Sequence, residues 1–144
     1  MSKDAGSLLA LTLSCTFAAT LFGFGATIFS LQSAYEEQGR EQLVFFTREF
    51  VYVTLAVILV MKGGWWGVLA GMAMTIGATT LEWLLFPVTY TWAGAGDSER
   101  FAGFERPSYA SWATLDIMGV GIAAALAQVL RLMSNVNFKG SGDE

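Results

Sequence analysis

Residues 65–92 read WWGVLAGMAMTIGATTLEWLLFPVTYTW, an apolar run holding one charged residue, Glu82, with tryptophans at both ends. At about 1.5 Å per residue a helix of this length exceeds a hydrocarbon core of about 30 Å. Trp65, Trp66 and Trp92 stand where interfacial aromatic anchors belong. The run predicts a transmembrane helix over 65–92. Pro87 has no amide hydrogen to give, so a kink or early exit is expected near its end.

Working outward, Lys62-Gly63-Gly64 supplies a turn, and before it about 42–61 forms a second apolar run that contains Arg48 and Glu49. The polar stretch Tyr35-Glu36-Glu37-Gln38-Gly39-Arg40-Glu41 separates this run from a first one, about 8–33, whose surroundings from Ala5 to Tyr35 carry no charge. That first run is too long for the apolar part of a signal peptide and is read as a retained helix. On the other side, Gly94 to Ala110 forms the longest connection, read as lying along the interface. Trp112 then opens a fourth helix that ends near Met133, followed by a small, polar tail over 134–144 expected to be disordered. The fold class expected is all-α, an integral membrane four-helix transmembrane bundle in a single domain spanning 1–144.

Composition supports that class: 54% of the 144 residues are hydrophobic, 14% are charged, and the mean hydropathy is +0.52. The net charge of -4 argues against nucleic acid as a partner, because a phosphate backbone demands clustered Lys and Arg. There is no histidine, so a haem or metal site ligated by histidine is excluded. Six scattered methionines are read as packing, and the single cysteine, Cys15, as a small buried apolar residue. The expectation is no cofactor and no metal, with bound lipid as the one compatible small molecule. Glycine-rich phosphate loops, Ser-His-Asp sets, paired-cysteine zinc spacings and HExxH are absent, so nothing favours an enzyme.

Four charges fall inside expected spans, Arg48, Glu49, Glu82 and Asp116, and such residues are candidates for function. Insertion scales put about 2.5 to 3.5 kcal/mol on Arg or Asp at a helix centre against about 0.3 to 0.6 returned by each Leu, Ile, Phe or Val. The second helix is therefore nearly balanced, and its charges must be paired, near an interface, or both. Arg48 lies about 8 Å inside its boundary, and Glu82 lies about 26 Å from Trp65, near the opposite face. Since Asp116 also enters there, all four share one depth, and a cluster of one Arg with up to three carboxylates is expected. Small-residue stripes should turn it inward: Thr12, Thr16, Ala19, Gly23, Thr27 and Ser30 on the first helix, Gly71, Thr75, Ala78 and Glu82 on the third, Asp116, Gly119, Ala123 and Ala127 on the fourth. Phe17, Leu21, Phe24, Ile28 and Leu31 are left to lipid. Gly67-x-x-x-Gly71 and Gly121-x-x-x-Ala125 match a common helix-contact spacing.

Phe101, Phe104, Arg106 and Tyr109 in the long connection are residue types enriched in contact patches, set to meet a partner or lipid headgroups. The leading expectation is a non-catalytic subunit or scaffold of a membrane complex, with membrane lipids and other membrane subunits as partners. A small transporter or ion-conducting oligomer using Glu82 and Asp116 opposite Arg48 is the alternative from another class. A third is a lipid- or quinone-binding component of a membrane enzyme, from Trp83, Phe86 and Tyr90 beside Glu82. Lys3, Lys62, Arg131 and Lys139 on the terminal side balance Arg40, Arg48, Arg100 and Arg106 on the other. With Arg48 inside the membrane and acidic residues crowding the second side, both termini are expected in the cytoplasm.

Overall fold

A computed structural model of the chain describes residues 3–33, 40–92 and 108–139. These form four helices, α1 (Lys3–Ser33), α2 (Arg40–Gly63), α3 (Trp65–Trp92) and α4 (Tyr109–Lys139), with no strand among the described residues. Three are long and apolar enough to cross a membrane, over Ala5–Phe29, Trp65–Thr89 and Tyr109–Ser134. Among the described residues α2 does not meet that description, in keeping with the charges it carries.

Three helices run beyond their expected bounds: α1 begins at Lys3 rather than near Leu8, and α2 extends two residues past its expected range at each end. α4 starts at Tyr109 rather than Trp112 because Ser108 caps it: the Ser111 amide donates to Ser108 Oγ at 3.2 Å, satisfying one of the free donors of the first turn. Its far end runs on to Lys139, so the tail expected to be disordered from Ser134 begins as helix; the polar side chains there do not by themselves end a helix, and Ser134 Oγ donates back to the Arg131 carbonyl at 3.0 Å. Residues 140–144 lie outside the described residues, as do Phe101, Phe104 and Arg106.

The helices alternate in direction. α2 turns into α3 through Gly64 alone, whose φ of 59° is the left-handed conformation that side chains resist. Its amide donates to the Val60 carbonyl at 2.8 Å and its carbonyl accepts from the Val68 amide at 3.0 Å, so the turn satisfies both helix ends. Past the turn, Gly67 packs on the Leu59 backbone and Gly71 on Ala56, a close antiparallel approach. α1 runs parallel to α3, since Thr16 meets Gly77 and Gly23 meets Glu82. α2 and α3 each pack against both other helices, whereas α1 and α4 do not meet among the described residues. The charged helix α2 and the long helix α3 are thus central, with α1 and α4 on opposite flanks.

The core follows the expected stripes in α3, where Gly71, Thr75, Ala78 and Glu82 are all buried. Cys15, Ala19, Tyr52, Ala56, Leu59, Met74, Ala78 and Val120 form its main apolar cluster. In α4 the buried face is rotated from the expected one: Ala113, Asp116, Val120, Ala124 and Gln128 are inside, and Gly119 is exposed. A Cβ added at Gly121 would meet nothing within 4 Å, so among the described residues its spacing with Ala125 marks no close helix contact. Leu31, assigned to lipid, is buried, while Phe17 and Leu21 on α1 are exposed.

Candidate functional site

Most hydroxyls in these helices bond within their own helix. Thr12, Thr16, Thr20, Thr75 and Thr89 each donate to the carbonyl four residues back, at 2.7–2.9 Å. That is how a hydroxyl is satisfied where neither water nor a partner is at hand. Thr79 departs from the pattern and donates instead to Asp116 Oδ2 at 2.8 Å, across to α4.

Asp116 belongs to the group that the depth count brings to one level. Arg48 on α2 forms a two-pronged pair with it, Nη1 to Oδ1 at 2.9 Å and Nη2 to Oδ2 at 2.7 Å. The remaining edge of the guanidinium turns to α3, with Nε donating to Glu82 Oε2 at 2.9 Å. Nη1 also reaches Glu49 Oε1 at 3.1 Å. A planar fork of donors suits this role because two parallel bonds fix orientation as well as adding attraction. The structure therefore brings together all four charges singled out in the sequence, and one guanidinium links three helices.

Tyr52, one turn beyond Arg48, completes the group. Its hydroxyl donates to Glu82 Oε1, and its ring lies under the guanidinium, 4.6 Å from Cζ to the ring centre. Gly23 on α1 forms the opposite wall: a Cβ added there would occupy the space of the Glu82 carboxylate. Arg48 and Glu82 are each 3% exposed and Asp116 is fully buried, whereas the Glu49 side chain keeps 18% of its surface open.

Comparison of the chain with protein families, characterised proteins and solved structures finds no match. The arrangement must speak for itself. Three carboxylates surround one cation, each within 3.1 Å of it, so they are spread around a guanidinium rather than converging on a point. Among the described residues no group of three His, Cys, Asp or Glu is set to hold a metal ion. Chemically the cluster ties α2, α3 and α4 together and carries more carboxylates than cations.

Of the contact residues expected in the long connection, only Tyr109 is described, and it faces α3: its hydroxyl is 2.9 Å from Thr80 Oγ1, and its ring meets Trp83 edge-on at 5.7 Å. Its contacts seen here are within the chain. Sequence reasoning passes over Tyr52 and Thr79, and places Gly23 on an inward stripe without setting it against Glu82. Each stands one helical turn from a singled-out residue or opposite one, and that spacing was the available signal.

Proposed function

We propose that the chain is a multi-pass membrane protein of four crossings, a non-catalytic subunit or scaffold whose helices are fixed by the Arg48 cluster. The parallel course of α1 and α3 supports the fourth crossing: if both traverse the bilayer in one direction, the chain must return between them, and α2 is the segment that returns. α2 packs against all three other helices, which screens from lipid the charges that keep it from being an independent span.

One observation carries the scaffold reading: the buried guanidinium is bonded to carboxylates from α3 and α4 and from its own helix, and so ties three helices at one level. The apolar flanks support it too. α1 exposes Leu9, Leu13, Phe17 and Leu21 along one face, and α4 exposes Leu115, Met118, Ile122 and Leu126, surfaces suited to lipid or to another membrane helix. Phe101, Phe104 and Arg106 of the connection add contact-prone side chains. Purification in mild detergent followed by mass measurement tests this reading. A stable hetero-assembly is the expected result, and a persistently lone chain contradicts it.

The transport reading has its own observation: two carboxylates exceed what the one guanidinium neutralises, and Glu49 gives the cluster a partly open side. An ionised carboxylate without a partner inside the membrane is costly, and a bound proton or cation removes that cost. Flux into reconstituted vesicles decides it, comparing wild type with Glu49→Gln, Glu82→Gln and Asp116→Asn. Loss of proton or cation flux in the variants supports transport, and equal flux in all four removes the carboxylates from any mechanism.

A further inference from the structure

At the end of the molecule away from the cluster, α1, the end of α2 and the start of α3 enclose a cavity of about 790 Å³. That is the size of pockets which hold small ligands, about 300 to 1,000 Å³. Leu8, Leu9, Leu69, Ala70 and Ala73 make its walls apolar. Thr12 also lines it, but its hydroxyl is turned back to the Leu8 carbonyl at 2.7 Å. Leu8 packs against Gly63, where an added Cβ would come within 2.9 Å of it, and so helps to close the end of the groove. The one charged side chain in the lining is Lys62, and Trp66, 73% exposed, stands beside it.

We propose that this groove seats one acyl chain of an anionic phospholipid, with the phosphate held by Lys62. The proposal rests on the membrane-spanning reading above and adds the ligand class. Charge complementarity selects the anionic headgroup: among the described side chains the ionised groups at this end are Lys62 and Arg131, both positive, while the described carboxylates sit in the cluster at the other end. Arg131 is engaged with the Val60 carbonyl at 3.4 Å, and Lys62 is exposed. The apolar walls select a hydrocarbon chain over a soluble phosphate. An interfacial tryptophan at the mouth puts the headgroup at the level of Lys62.

Native mass spectrometry of the detergent-purified full chain, titrated with phosphatidylglycerol and phosphatidylcholine of identical acyl chains, tests this. Wild type should hold a single lipid and prefer phosphatidylglycerol by about fivefold, the effect of one lysine at an anionic surface. Lys62→Gln should equalise the two lipids, and Ala73→Phe, at an exposed wall position, should reduce retention of both. Equal binding by wild type, an unchanged preference in Lys62→Gln, or full retention in Ala73→Phe overturns the proposal. So does a dimer that Ala73→Phe dissolves, which would assign the groove to a second copy of the chain. Extraction of the chain from membranes by alkaline carbonate would instead sink the membrane-spanning reading itself; a chain that stays in the pellet without lipid preference sinks only the groove.

Discussion

Arg48 bonds through Nε, Nη1 and Nη2 to the carboxylates of Glu49, Glu82 and Asp116, and that sets the consequence of removing it. Arg48→Met leaves Glu49, Glu82 and Asp116 facing one another in a buried space, a loss of about 3 to 5 kcal/mol for breaking a buried pair. Denaturation of the purified chain in mixed micelles measures it. Replacing Arg48, Glu82 and Asp116 together by apolar residues of similar volume should recover most of that loss, because the two buried carboxylates then go with the guanidinium and only Glu49, whose side chain keeps 18% of its surface open, retains a charge. If the single and triple variants are equally unstable, the cluster contributes shape and not charge pairing. Gly23→Ala tests the wall: its methyl group would take the place of the Glu82 carboxylate, and overpacking of that kind costs about 1 to 3 kcal/mol. A variant as stable as wild type would mean that α1 can draw back freely.

These residues also mark what a sequence can disclose about a site. Charges inside apolar runs are costly enough to be conspicuous, and 1.5 Å per residue turns their positions into depths, which is why Arg48, Glu49, Glu82 and Asp116 could be grouped in advance. Tyr52, Thr79 and Gly23 are of types that apolar helices use everywhere, so nothing in the string separates Thr79, bonded across to Asp116, from Thr75, bonded to its own helix. The facing of α4 was misjudged for a related reason. Asp116 lies on both the expected and the observed face, so it does not choose between them; small size picks out Gly119 and Ala123, whereas Val120 and Ala124 take the inner positions.

At the scale of the element, α2 carries the conflict between what its residues prefer and where the fold puts them. With Arg48 and Glu49 together it gains too little from its apolar residues to insert alone, and its burial among three neighbours replaces that deficit with paired charges. In a translocon insertion assay, α2 as a lone segment should insert poorly, and Arg48→Leu should raise the inserted-to-excluded ratio at least about tenfold. Efficient insertion of wild-type α2 by itself would show that the cluster is not needed for its crossing. The turn after α2 gives a second measurement. Gly64→Ala puts a side chain in the left-handed region, at about 1 to 2 kcal/mol, and also brings its Cβ to 2.7 Å from Arg131 Nη1. Unfolding should register the loss, with the Arg48 cluster untouched because it lies at the far end of both helices.

For the whole molecule, alternating helices leave both described ends, the start of α1 and the end of α4, on the side of the Gly64 turn. Counting Lys and Arg along the sequence nearly ties the two sides, but a count gives Arg48 the same weight as a free cation. In the structure Arg48 is surrounded by carboxylates and adds no positive charge to its side, whereas Lys62 and Arg131 stand at the other end without a carboxylate among the described side chains there. Positive loops stay in the cytoplasm, so under the four-crossing reading we propose that the Gly64 turn and both described ends face inward. Ser134 and Ser108, exposed at opposite ends of α4, report this directly in a Cys15→Ala background. In intact cells a membrane-impermeant maleimide should label Ser108→Cys and leave Ser134→Cys unlabelled until the membrane is opened. The reverse pattern would mean that the cluster side is cytoplasmic and that charges in the connection between α3 and α4 outweigh Lys62 and Arg131. Labelling of both from one side would mean that α4 does not cross, and the parallel course of α1 and α3 would then need an explanation other than a bilayer.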